Sequence, residues 1–187
     1  MSWKDEKTTM QTITRSTKEC AFLAVFVALL IAVQFALSAI AGIELVSVLF
    51  ISYVFAMGIT RGLFVAVAFS LLRTLLFGFF PSVVILYLLY YVVVAVAFGL
   101  IGKCLKKKNT AIKTVSVTLT SCMATAGFTL LDDIITPWFY GYTVEATKAY
   151  FLASLPVIIP HVICVAVSVG VLFIPLYTAF QWLLKRL

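Results

Sequence analysis

Charge is scarce in this chain and negative charge scarcest, with 7 acidic residues against 14 basic ones in 187. With 64% of residues hydrophobic and 11% charged, the polar groups are too few to cover a water-soluble globule of this length, which excludes a soluble domain and makes the bilayer its solvent. The single histidine, His161, has no second histidine with which to build a metal cluster. The four cysteines, Cys20, Cys104, Cys122 and Cys164, form no CxxC pair, so neither a metal site nor a disulfide framework is supported. No GxxxxGK[ST] phosphate loop is present, and any ATP-driven step must come from another chain. No internal repeat, low-complexity tract or linker divides the sequence, which reads as one transmembrane domain, 1–187.

What is abundant is long apolar runs, separated by cations on alternate connections. Of the 14 Lys and Arg, all except Arg73 and Lys148 fit one side of a membrane: Lys4, Lys7, Arg15, Lys18, Arg61, Lys103, Lys106, Lys107, Lys108, Lys113, Lys185 and Arg186. This is the positive-inside pattern, and it accounts for the net charge of +7 without a nucleic-acid partner. A cationic stretch precedes the first apolar run, and Ala39-Ile40-Ala41 resembles a signal-peptidase site. The run from Ala21 to Ile43 far exceeds the roughly 7 to 15 residues of a signal-peptide core, however, and reads as a retained span.

A helix needs about 20 residues to cross the hydrocarbon, and charge and proline punctuation then marks six spans. They are Cys20–Ala41, Leu45–Thr60, Gly62–Phe80, Ser82–Gly102, Ala111–Thr136 and Leu155–Phe180. The second is short, but without it Lys103 to Lys113 would be exported, against the orientation rule. The expected fold is therefore all-α, an integral membrane bundle of six transmembrane helices. Both termini are cytoplasmic, and residues 1–18 form a cytoplasmic N-terminal segment. Glu44, the Gly78-Phe79-Phe80-Pro81 turn and the segment Pro137 to Lys148 then face outward, and Pro156 and Pro160 start the last span after an interfacial piece holding Tyr150 and Phe151.

On the first span Ala24, Ala28, Ala32 and Ala36 recur every four residues, with Ala21 and Ala39 close to the same face. Small residues at this spacing let another backbone approach, because helices in lipid associate by close packing. Two readings stand: the stripe packs inside this protein's own bundle, or it docks a separate membrane subunit. A cationic N-terminus, an AxxxA first span, six spans in fewer than 200 residues and a lysine-rich loop after the fourth together resemble the substrate-binding S components of energy-coupling factor (ECF) transporters. The resemblance covers essentially the whole chain. It implies a multi-pass protein of a prokaryotic plasma membrane that captures a micronutrient outside the cell. Ala24, Ala28, Ala32 and Ala36 would contact an energy-coupling transmembrane subunit. Two partner ATPase subunits would hydrolyse ATP with Mg, and this chain would hold no cofactor of its own.

Candidate ligand residues lie toward the outer ends. Arg73 is deep in the third span, where exposure to lipid would cost a few kcal/mol, so it faces a cavity or forms a structural ion pair. Glu44, Asp132 and Asp133 are its candidate counter-charges. Thr118, Ser121, Thr125, Thr129 and Asp132 share one face of the fifth span, either turned inward as a polar stripe or with each hydroxyl bonded to its own preceding carbonyl. Tyr87, Tyr90 and Tyr91, with Trp138, Phe139, Tyr140 and Tyr142, supply either an interfacial belt or a pocket wall. His161 is a helix-packing residue or a hydrogen-bond donor to a ligand. The expected substrate-binding set is Glu44, Arg73, Tyr87, Asp132, Trp138 and Tyr140. The Glu44-Leu45-Val46-Ser47 stretch and the aromatic outer half look most like cobalamin-type S components; a queuosine precursor, pantothenate and pyridoxine-type ligands are the alternatives. A membrane enzyme using Asp132, Asp133 and His161 is disfavoured, because adjacent aspartates on a helix point about 100° apart.

Overall fold

The computed structural model describes residues 3–40, 43 and 45–186, with side chains from residue 17 onward, and every regular element among them is a helix. Five helical stretches are long and apolar enough to cross a membrane: Thr17–Leu37, Ile59–Phe77, Pro81–Leu105, Thr110–Tyr140 and Val144–Leu184. Their length and composition are those of a multi-pass membrane protein.

The first of them is the apolar part of α1 (Trp3–Leu37). Its two faces differ in residue size. Phe26, Val27 and Leu30 are buried against the bundle, whereas Ala24, Ala28, Ala32 and Ala36 are exposed beside Val25 and Leu29. The large side chains fill the core and the small ones are left outside, so within this chain the alanine stripe does not serve internal packing.

The expected second span is instead a short helix, α2 (Val46–Met57), of 12 residues, or about 18 Å at 1.5 Å per residue. It carries no polar stripe, and a helix that is apolar all round belongs in the interior. All of it except Leu49 and Ala56 is buried, enclosed by α1, α3, α5 and α7. Gly58 ends α2 with φ +90°, a backbone state that costs glycine nothing, and α3 (Ile59–Leu72) starts at the next residue. A turn at Arg73 separates α3 from the single-turn α4 (Thr74–Phe77).

The turn after α4 contains Gly78, and Pro81 then opens α5 (Pro81–Leu105) in the first turn, where its missing N–H is no loss. Helix α5 presses on the α2–α3 break through Gly102, at which a Cβ would stand 2.8 Å from the Phe55 carbonyl oxygen. The core beside this contact is aromatic: Phe26 stacks on Tyr53 at 4.3 Å, and Phe180 meets both rings edge-on.

The last two elements depart from the sequence-based expectation. Residues Pro137 to Lys148 are mostly helical rather than an outer loop. Helix α6 (Thr110–Tyr140) runs through Pro137 and stops at Gly141, whose φ of +64° makes a left-handed cap. Helix α7 (Val144–Leu184) begins at once, with the Thr143 hydroxyl accepting from the Ala146 N–H at 3.2 Å. It then continues through Pro156, Pro160 and Pro175 for 41 residues, about 60 Å in length. Proline is tolerated inside membrane helices where packing compensates the freed carbonyls, and α6 and α2 flank α7. Pro156 and Pro160 therefore do not start the last helix, and Tyr150 and Phe151 belong to it.

Candidate functional site

A cavity of about 250 Å³ lies where α1 ends and α5 begins, at the opposite end of α5 from Lys103. Gln34, Leu37 and Ser38 of α1 form one side, followed by Ile40, Ile43 and Leu45 of the connection to α2. The aromatic wall is Phe77 of α4, Tyr87, Tyr90 and Tyr91 of α5 and Phe128 of α6, while Thr125 and His161 close it from α6 and α7. The rings hold one another edge-on, with Phe128 against Tyr87 at 5.5 Å and against Tyr90 at 4.8 Å, a favoured aromatic geometry that stiffens the wall.

Behind this wall sits Arg73, only 8% exposed. Its guanidinium carbon is 3.8 Å from the Tyr87 ring centre and 5.0 Å from that of Phe77, so the cation is sandwiched between two lining residues. Its Nε–H donates to Gln34 Oε1 at 3.2 Å, and Gln34 Nε2 donates to the Tyr87 hydroxyl at 2.8 Å. Since arginine can only donate, the amide oxygen must face it and the NH₂ must face Tyr87. Among the described residues no carboxylate forms an ion pair with Arg73; the salt bridge there is Arg61 to Glu19 at 2.7 Å, near the other end.

The structure brings Arg73 and Tyr87 together and leaves three other expected ligand residues outside the cavity lining. Asp132 is occupied by structural partners, with Thr136 Oγ1 donating to one oxygen at 2.7 Å and the Tyr150 hydroxyl to the other at 2.8 Å. Trp138 is 80% exposed, as befits an interfacial aromatic. Tyr140 is also exposed, and its hydroxyl accepts from Ser82 Oγ at 3.4 Å. Glu44 lies outside the described residues. Asp133 is buried, with Ser154 Oγ donating to Oδ2 at 2.7 Å, and borders a separate apolar hollow between α6 and α7. His161 lines the first cavity and the two aspartates do not.

The polar stripe of α6 divides residue by residue. Ser121 donates back to the Val117 carbonyl at 2.7 Å, the local alternative for a helical hydroxyl. Thr125, 4% exposed, does not; its Oγ1 is buried without a hydrogen-bond partner and the residue lines the cavity. The residue that sequence reasoning missed is Gln34. Its signal was plain, an amide alone among the apolar residues between Ala21 and Leu37.

No known protein family, curated protein or solved structure matches this chain. The arrangement must be read from its own chemistry. It is an aromatic box with a cation behind one wall, an oriented amide and a buried hydroxyl without a partner, the mix of apolar walls and a few polar groups that small-molecule pockets share.

Proposed function

We propose that this chain is the substrate-binding membrane subunit of an ATP-driven uptake transporter of the ECF type. The observation that carries the reading is the division of labour on α1. One face delivers Gln34 to the cavity, while the opposite face leaves Ala24, Ala28, Ala32 and Ala36 uncovered, so one helix links a ligand site to a surface shaped for another helix. In this reading the chain is a single transmembrane domain that crosses a prokaryotic plasma membrane six times. The apolar, buried α2 counts as one crossing, and both termini and the lysine-rich turn 103–113 are cytoplasmic.

The cavity then opens on the outer half, where a scarce nutrient is captured. The alanine face docks to a coupling subunit, and two partner ATPases drive release to the cytoplasm. A volume of about 250 Å³ falls below the roughly 300–1,000 Å³ of pockets for drug-sized ligands. It favours a small nutrient, of pantothenate or pyridoxine size, over the corrin of cobalamin. Affinity purification of the tagged chain from its native membrane tests the assignment. Co-purification of two ATPase chains and a second membrane subunit is expected. Recovery of a solitary chain or a homo-oligomer would overturn it.

A further inference from the structure

We propose that the cavity selects a small, flat, ring-bearing anion, a carboxylate in preference to its neutral amide or to an amine of the same shape. The proposal deepens the reading of this site as a ligand-capture pocket and rests on it. Four observations converge. The volume of about 250 Å³ admits one or two fused rings with a short substituent. The walls are ring faces already locked edge-to-face, Tyr90 on Tyr91 at 5.2 Å and on Phe128 at 4.8 Å, so what they offer an occupant is stacking surface.

The third observation is charge. The cavity lining contains no carboxylate among the described residues, and the Arg73 cation is pressed against two lining rings and 8% exposed. A guanidinium removed from water to this degree is costly unless an anion approaches it. Its attraction is strengthened by the low dielectric around it. A cation entering the same space meets the same field with the opposite sign.

The fourth is hydrogen-bond polarity. Arg73 fixes the Gln34 oxygen toward itself, which turns the Gln34 NH₂ away from the cation; one hydrogen reaches the Tyr87 hydroxyl. The second remains for an acceptor in the cavity that Gln34 lines. Thr125 adds a buried hydroxyl that lacks a partner. A buried polar group left unmatched is a standing cost that a complementary ligand removes. Donors backed by a cation describe a site for acceptors and negative charge.

The test uses the purified full-length chain in lipid nanodiscs and matched probes of one ring size: benzoate, benzamide and benzylamine, with pyridine-3-carboxylate and its amide as a second pair. Thermal stabilisation and calorimetry should show the carboxylates binding about tenfold or more tighter than the amides, a difference of about 1.4 kcal/mol, with benzylamine weakest. Arg73→Gln should erase that preference and Arg73→Lys should keep it. Thr125→Val should weaken acid and amide alike. Equal or tighter binding of the amides or the amine, or no binding by any probe at millimolar concentration, would overturn the proposal. Glu44→Gln is measured in parallel, and an acid preference that appears only in that variant would overturn it too, because Glu44 would then be what neutralises Arg73. These measurements need no partner subunit. Failure of the ligand class is thus read separately from failure of the transport assignment, which the ATPase purification decides.

Discussion

Replacing Gly102 with alanine examines the contact that holds α5 against the α2–α3 break. Both Gly102 and Gly127 lie inside helices, and in either place alanine improves helix propensity by about 1 kcal/mol. Their surroundings differ. A Cβ at 127 meets nothing within 4 Å, whereas at 102 it would stand 2.8 Å from the Phe55 carbonyl oxygen and 3.3 Å from the Phe55 Cα. The obstructing atoms are backbone and cannot rotate aside, so α5 or the end of α2 must shift, an overpacking cost of about 1–3 kcal/mol. The propensity gain is common to both variants and cancels. Gly102→Ala should therefore be less stable than Gly127→Ala by about 1–3 kcal/mol, with Gly127→Ala equal to or slightly above the parent. Reversible unfolding in mixed micelles, followed by far-ultraviolet circular dichroism, measures the difference. Equal stability of the two variants would show that the close approach of α5 is not part of the fold in the membrane.

Two further outcomes follow from the exposed features. Ala28→Leu with Ala32→Leu adds bulk to an uncovered face, so the stability of the isolated chain should change by no more than about 0.5 kcal/mol. Uptake and recovery of the partner subunits should be lost while ligand binding remains; parallel loss of binding would refute a dedicated docking face. A cysteine placed at Lys107, which is exposed in the turn after α5, should react with an impermeant maleimide only after the cells are opened. Labelling of intact cells would invert the proposed topology and move the cavity to the cytoplasmic side.

Much of this architecture was legible from residue order. The apolar runs and their charged borders marked six helical spans, of which five are helices long enough to cross a membrane, with most ends within a few residues, and the second is the shorter α2, because backbone polar groups in lipid must be satisfied within helices. Arg73 and Tyr87 were identifiable because a deep cation and a deep tyrosine are expensive or unusual in a span. The ends of α6 and α7 were not read correctly. Prolines at 137, 156 and 160 suggested boundaries, whereas α6 and α7 run through them and Gly141 with Thr143 make the real break. The candidate site was only partly legible. Asp132 stands on the polar stripe, but its carboxylate accepts from Thr136 and Tyr150 and lies outside the cavity lining, and which hydroxyl reaches a carboxylate depends on how α7 lies along α6.

Residue order alone determined that this chain belongs in a bilayer, that it is helical, and which of its ends carry the cations, since each follows from transfer free energies summed over local segments. Which way the faces turn was decided only in three dimensions. The same spacing of alanines served an internal or an external contact equally well until the Phe26, Val27 and Leu30 face of α1 was seen against the core. Gln34, Arg73 and Tyr87 are 39 and 53 residues apart in their hydrogen-bonded pairs. Their relay into one cavity exists because α2 draws α1, α3 and α5 around itself, a many-body packing result that no local pattern encodes.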